Sequence, residues 1–493
     1  MLVEIRSADQ LGGKNAVDLP AALAPVLDTV NGAGPVGEEP GVDLSRLRVV
    51  ADWVQYRHSF RAPVELRPVV GGEALELAVD VRRSTALDPD QVATAVAAEL
   101  HAHRSGGSNR NHVTLEEWGP TRRSRIWEFN RLYWQHLRHW EQVTGRGYES
   151  ALPGGQSDAR DAAPIRETIT ELFTIWDALA ERRALPEQLY VIELGVGNGG
   201  QARTWLDTFV ELDRTHGRDY LRRLHYLMCD YSPHVLELAR AAVAGHASRV
   251  SSFVLDATRP LTSLGFLRFS VFLVYISNVY DNLASDEIAT IGQREHLVES
   301  RAYLPADAAT AIARSFEFPA GALGGLVEKL LRLGPELLAE AAPQHFPGGV
   351  AAAVRFWRAC WQALRLQERY VPLHGLDTYQ IAPGISGELL RPLVATGGDI
   401  RMHVSNGAAQ SFAETLPLLH PYGRLQCHDI VTTDAHQYRT GFRGPGKYDG
   451  SVVNWVNGSL LAHIGARKGF DVAFAPFHRP GSNITTMTAA VRD

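Results

Sequence analysis

The sequence predicts an α/β fold: a parallel sheet with helices on both faces, a large helical insertion and a small N-terminal α+β domain. Three observations predict it. From residue 189 onward, short apolar runs alternate with segments of helical period, the pattern of a parallel sheet. The first run, "LYVIEL", ends in "GVGNGG" at 195–200 and opens a helix, so bare backbone is presented at a strand end. The alternation pauses over a Leu/Ala-rich stretch at 284–370 and resumes at 423.

A chain of 493 residues is too long for one simple core and implies two or three packed units. A formal net charge of −6, spread without long blocks of one sign, gives no reason to expect nucleic acid as a partner. The one Arg-rich stretch, "GPTRRSR" at 119–125, reads as a solvated face. Three scattered cysteines (Cys229, Cys360, Cys427) form no CxxC pair, so neither a disulfide framework nor a thiolate zinc site is expected. Nineteen histidines contain no HExxH pattern, and no metal is expected. The first residues lack a basic stretch followed by a long apolar core, and no apolar run approaches a membrane span. The expectation is a soluble cytoplasmic protein, open to pairing as a homodimer.

Residues 1–110 read as the α+β domain with a loose Gly/Pro-rich arm before residue 45. Three strand-like runs fall between 47 and 82, with a turn at Gly71-Gly72. A helix follows at 88–103, then the polar linker "RSGGSNRN" at 104–111. Residues 111–187 read as a helical segment leading into and covering the catalytic domain. Ile126, Phe129, Trp134, Leu137 and Trp140 lie on one stripe expected to pack on that domain, and a second helix stops at Pro186. The sheet domain occupies 188–283 and resumes at 401–493. The insertion at 284–400 is expected to be helical and to serve as a substrate lid. "SVVNWVNGSLLAHIGARKG" at 451–469 reads as one helix.

The glycine turn separates three kinds of ligand. Its spacing is G-x-G-x-G, where a dinucleotide fingerprint needs G-x-G-x-x-G. No phosphate cradle occurs at 195; "GFRGPGKY" at 441–448 comes within one residue of that motif, with Tyr448 where Ser or Thr is required. What remains is E-x-G-x-G-x-G, formed by Glu193, Gly195, Gly197 and Gly199 with Val196 and Asn198 between them. This segment resembles motif I of the class I S-adenosyl-L-methionine (SAM) dependent methyltransferases, which have a Rossmann-like seven-stranded sheet. The resemblance implies that the turn receives the methionine part of SAM. It also implies that Asp230, with Tyr231 and Ser232, takes the ribose, a carboxylate being able to accept from two adjacent hydroxyls. Asp256 and Ala257 would meet the adenine, and Ser277 and Asn278 would end the fourth strand beside the reaction centre. Taken alone, Asp230 also reads as a helix N-cap and Asp256 as a turn residue.

Residues 160–493 are similar, more weakly, to the MidA-like methyltransferases, which include protein-arginine methyltransferases. "SNVYD" at 277–281, the long insertion, "HDIVTT" and "DGSVVNWV" at 449–456 carry that similarity. The chain departs where Val279 replaces the family's Glu and where Asp429-Ile430-Val431 replaces its "DYG". The resemblance implies methyl transfer from SAM, giving S-adenosyl-L-homocysteine (SAH), to an oxygen or nitrogen nucleophile. The acceptor is expected to be a small molecule, with a peptide as the alternative. Such a nucleophile must lose a proton. Asp281, Tyr280 and His428, which end strands at the ligand-binding edge, are the candidate bases, with His296 as a further one. A catalytically silent assembly factor, a nicotinamide oxidoreductase and another transfer from SAM stay open as alternatives.

Overall fold

The computed structural model describes residues 2–5, 17–32, 43–52, 54, 58–72, 74–104, 112–148, 162–395, 399–439, 444–479 and 482–492. Most of the expected arm and the linker at 105–111 lie outside the described residues, as do 149–161 and 441–443. Among the described residues, no helix is long and apolar enough to cross a membrane.

The N-terminal unit is a four-stranded sheet of β1 (Leu2–Ile5), β2 (Leu47–Asp52), β3 (Val64–Pro68) and β4 (Leu75–Asp80), in the order β1-β2-β4-β3. Helices α1 (Leu19–Gly32) and α2 (Pro89–Arg104) bury Val26, Val30, Val96 and Leu100 against it. Then come α3 (Arg125–Gln135) and α4 (Leu137–Thr144), separated by a break at His136 (φ −114°, ψ 27°), and α5 (Ala162–Glu181).

The central sheet follows the expected alternation: β5 (Leu189–Leu194), α6 (Gly200–Thr215), β6 (Leu224–Asp230), α7 (Pro233–Ala242), β7 (Val250–Val254) and β8 (Val271–Ser277). After the insertion it is completed by β13 (Leu419–Asp429), α12 (Gly458–Arg467), β14 (Phe470–Pro476) and β15 (Thr485–Val491). The seven strands lie in the order β14-β15-β13-β8-β5-β6-β7. Six run in one direction, and β15 runs antiparallel to them between β13 and β14. Alternate residues face opposite layers. Val191, Tyr226 and Met228 pack on α5, α6 and α7, whereas Ile192, Ile276 and Cys427 pack on α12 and on α11 (Asn406–Thr415).

The insertion is not purely helical. It holds α8 (Ala306–Ser315), α9 (Leu323–Ala341) and α10 (Val350–Ala363), but also an antiparallel sheet. That sheet is formed by β9 (Glu287–Ile291), β10 (Arg294–Leu304), β11 (Arg365–Pro372) and β12 (Ile400–His403), in the order β11-β10-β9-β12. The physical reason lies in Gly292 (φ 55°) and Gln293 (φ 64°), a two-residue turn with both φ positive, which closes a β9–β10 hairpin. The 451–469 segment also differs from its helical reading. Ser451–Val453 pairs as a strand with Gly446–Tyr448, and the helix begins only at Gly458 behind an Asn457 cap. The aromatic stripe of α3 and α4 packs into the insertion: Phe129 and Trp140 join Leu330, Trp357 and Trp361, and Trp134 is only half-buried.

The N-terminal sheet meets the insertion sheet through β3 and β11, where Val70 N–H donates to Tyr370 O at 2.8 Å. Charged side chains of both sheets are buried there. Arg67, 1% exposed, reaches Glu76 at 2.9 Å, Glu65 at 3.2 Å and Glu368 at 2.9 Å. Arg401 pairs with Glu368 at 2.9 Å and with Glu287. Tyr370 Oη donates to Glu76 at 2.6 Å.

Candidate active site

The chain leaves β5 in one direction through β6 and β7, then crosses back so that β8 lies on the other side of β5. The carboxyl ends of β5 and β8 thus flank the point where strand order reverses, where open α/β sheets bind ligands. The glycine turn stands there. Gly195, Gly197 and Gly199 have φ of 76°, 57° and 78°, a region that L side chains rarely occupy. A Cβ on Gly199 would lie 2.6 Å from Ala239 Cα, and one on Gly195 would collide with Val279. The loop is sewn to the next strand: Gly195 and Val196 N–H donate to Cys229 O at 2.8 and 3.1 Å. Val196 turns its side chain into the core and offers a ligand only backbone. Asn198 caps the start of α6, its Oδ1 accepting from Gly200 N–H at 2.9 Å.

Glu193, in the strand below the turn, is 2% exposed and accepts from Tyr226 Oη at 2.6 Å. Burial pushes its carboxyl up to about 8, against the Tyr226 hydrogen bond and with help from the Asp230 charge. Asp230 ends β6, accepting from Ser232 N–H at 2.9 Å and, weakly, from Gly197 N–H at 3.3 Å; burial raises it to about 6. The capping role open to Asp230 falls instead on Ser232, whose fully buried Oγ accepts from Val235 N–H at 3.4 Å. That hydroxyl cannot also reach a ligand. Tyr231 accepts from Gln135 Nε2 at 2.9 Å, tying α3 to the loop after β6. Asp256 is exposed and makes an Asx turn, its Oδ1 accepting from Thr258 N–H and Oγ1 at 2.8 and 2.7 Å; Ala257 beside it is half-buried.

At the end of β8, Ser277 is half-buried and Asn278, at φ 51°, donates its N–H to His428 O at 2.9 Å. Tyr280 is corrected as a candidate base: its side chain is 2% exposed inside the core layer, and burial drives its hydroxyl well above the usual range. Asp281 is 7% exposed, accepts from Asn282 Nδ2 at 2.8 Å and is raised by burial to about 7. Next to it stands Asp429, which the sequence reading did not select. It is fully buried, accepts from Tyr280 and Ile430 N–H at 2.9 and 2.8 Å, and is pushed up by burial and by Asp281. His428 is held between Thr486 Oγ1 and Gln426 Nε2, each at 3.0 Å. Burial, aided by His478, lowers it to about 4, so it is neutral at pH 7.

Three other sequence candidates resolve differently. His296 sits in β10 of the second sheet, packed on Tyr370 and away from the strand ends. Lys447, from the stretch resembling a phosphate cradle, is buried with its Nζ donating to the carbonyls of Trp361, Gln362 and Leu364 at 2.7, 3.0 and 2.6 Å. It caps the C-terminus of α10 and has no proton left to offer a phosphate. Arg122, from the basic stretch, pairs with buried Asp286 at 3.4 Å.

Tyr148, in the helical segment expected to cover the sheet domain, also reaches the turn. Its hydroxyl accepts from Asn198 N–H at 2.9 Å in the middle of the glycine turn, and its own N–H donates to Glu141 of α4 at 2.8 Å.

No family model and no curated protein matches the chain. Solved structures similar to it include SAM-dependent methyltransferases. A COG1565 superfamily protein from Burkholderia thailandensis bound to S-adenosyl-homocysteine is 14% identical, with 82% of this chain and 94% of that one covered at a TM-score of 0.42. The DszA carbon methyltransferase is 12% identical over 87% and 75% of the two chains, TM-score 0.32. LepI in complex with SAM is 9% identical over 63% and 44%, TM-score 0.26. Such distant likeness leaves the argument for function to the site itself.

Proposed function

We propose that the protein binds SAM across the carboxyl ends of β5, β6 and β8 and transfers its methyl group to an oxygen or nitrogen of a small molecule. One observation carries the reading. A turn of three left-handed glycines stands at the switch point with the carboxylates of Glu193 and Asp230 beneath and beside it, and neither carboxylate has a cationic partner among the described residues. A ligand that is itself cationic and bears adjacent hydroxyls fits that set. When bound, SAM supplies an electrophilic methyl group on a sulfonium.

The residues present fit that group. The backbone of Gly195, Gly197 and Asn198 would hold the methionine end, and Asp230 would accept from the ribose hydroxyls through lone pairs its two backbone donors leave free. Asp256 has one oxygen outside its turn, and Ala257, Ser277 and Asn278 complete the rim. Glu193 ionises to balance positive charge placed above it. Asp281, poised near neutrality, takes the acceptor's proton.

A second reading has its own observation. Asp281 beside Asp429 is a buried acidic pair with no cationic partner among the described residues, the kind of surface a guanidinium would neutralise, as a MidA-like protein-arginine methyltransferase requires.

Calorimetric titration with SAM, SAH and reduced nicotinamide dinucleotide tests the cofactor. We expect micromolar binding of the two adenosyl ligands, a loss of about 100-fold in Asp230→Ala from two charge-assisted hydrogen bonds, and no binding of the dinucleotide. Absence of adenosyl binding would remove the methyltransferase reading and leave the turn to another ligand.

A further inference from the structure

Helix α3 buries Ile126, Phe129, Leu132 and Tyr133, and among them a polar side chain, Asn130, 7% exposed. Asparagine is a poor helix former, and burying its amide is costly unless both halves find partners. Both do. Nδ2 donates to Asn282 O at 2.8 Å, and Oδ1 accepts from Val452 N–H at 2.9 Å. An apolar residue would extend the stripe without that cost, so the reason for the amide lies in what it joins.

It joins the turn that carries Asp281 to the Ser451–Val453 strand. Tyr280–Asn282 is a single 3₁₀ turn after β8, whose poor internal hydrogen-bond geometry leaves it to be held by its neighbours. Asp429, ending β13, accepts from Tyr280 and Asp281 N–H at 2.9 and 3.3 Å. Asn454, one residue past the strand, donates its N–H to Asp281 O at 2.8 Å. Asn282 Nδ2 then donates to the Asp281 carboxylate at 2.8 Å. Asn130 thus grips Asn282, whose own amide orients the base. Farther along α3, Gln135 meets Tyr231 after β6, so the helix that carries Asn130 is itself seated on the strand ends.

We propose that Asn130 is a positioning residue for methyl transfer: its amide locks the Asp281 turn to the Ser451–Val453 strand and keeps the Asp281 carboxylate shielded from water and in place to take the acceptor's proton. That Asp281 acts on an acceptor rests on the methyltransferase reading; that Asn130 holds its turn does not. The segment before the glycine turn then completes the site rather than merely covering it.

The test reads Asp281 without needing an acceptor. Burial raises its carboxyl to about 7, so the full chain loses stability relative to Asp281→Asn as pH rises, and the loss levels off above that value. Asp429 and the Cys427 thiol are the titratable groups coupled to it, and the levelling point belongs to the pair of carboxylates. Urea unfolding from pH 4 to 9 locates that point in the wild type, Asn130→Ala and Asn130→Leu, each with and without Asp281→Asn. Alanine and leucine differ in bulk, so a variant that fails to fold leaves the other to read. The levelling point should fall by about one pH unit or more in both, because an unpinned turn admits water. Phe129→Leu, which loosens the same helix without touching the amide, should leave it in place. SAH affinity, titrated in parallel, should stay within about fivefold throughout. An unmoved levelling point in a folded Asn130 variant, an equal fall in Phe129→Leu, or a larger loss of SAH affinity would overturn the assignment and make Asn130 a packing residue. If SAH does not bind even the wild type, the methyltransferase reading falls, while the levelling point still decides what Asn130 does.

Discussion

Two regions of this molecule bury carboxylates, and they do so in opposite ways. Between the N-terminal sheet and the insertion sheet, Glu76, Glu287 and Glu368 lie against Arg67 and Arg401. Burial works to raise Glu368, but Arg401 and Arg67 hold it below its ordinary range. Glu65 is the exception there, driven up by burial and by Glu368. At the strand ends, Glu193, Asp230, Asp281 and Asp429 form no ion pair with an arginine or lysine among the described residues, and burial raises all four. A compensated cluster holds structure together. An uncompensated one stores an unfavourable charge that a cationic ligand can relieve.

The contrast can be broken first at the interface. Arg401→Met takes the arginine from buried Glu287 and one of two arginines from buried Glu368, and a loss of about 3–5 kcal/mol in urea unfolding is expected. A loss below about 1 kcal/mol, the range of exposed pairs, would mean the interface charges are solvated after all.

Glu193→Gln is the converse test and should stabilise. A carboxyl raised to about 8 in the folded chain binds a proton that the unfolded chain releases near its ordinary value of 4.5. Its contribution is full below that value and is lost as pH rises through about 8. The wild type should therefore lose stability relative to Glu193→Gln between pH 5 and 8, by about 3–4 kcal/mol. Parallel melting curves across that range would show that Glu193 carries no such strain.

Ligand affinity sharpens the same point. Positive charge above Glu193 and Asp230 favours their ionised forms, so SAM affinity should rise about tenfold from pH 6 to 8. SAH, which lacks the sulfonium, should rise less. Identical pH profiles for the two would place these carboxylates away from the sulfonium. The smallest effect belongs to Tyr148→Phe. It frees the Asn198 N–H from an internal acceptor, and SAM affinity should increase about threefold, the worth of one modest hydrogen bond; a decrease would make Tyr148 a ligand contact.

The central sheet is legible in the sequence because its parallel strands are buried on both faces and read as continuous apolar runs such as "VFLVYIS". The glycine turn is legible because only glycine tolerates its dihedrals. The insertion sheet is obscured by the Leu/Ala-rich helices around it, although Gly292-Gln293 lies in the sequence as a turn signal. Tyr280 misleads because a polar residue after a strand end resembles a catalytic one, and its burial depends on packing by α11 and α12. Asp429 stands in a stretch the sequence marks, but its burial beside Asp281 is set by packing, and the residue that Tyr148 meets is not signalled locally. Tyr148 lies 50 positions from the Asn198 amide it accepts from, a separation that periodicity does not read.

The contact between β3 and β11 has a bearing on how the protein is handled. β11 is the outermost strand of its sheet, and the N-terminal unit shields that margin through Val70 and Tyr370. A chain shortened to begin near residue 112 would present an open strand edge flanked by unmatched acidic and basic side chains, a template for pairing with other copies of itself. Shortened versions should therefore be recovered as aggregates rather than as a smaller monomer, which size-exclusion chromatography would show.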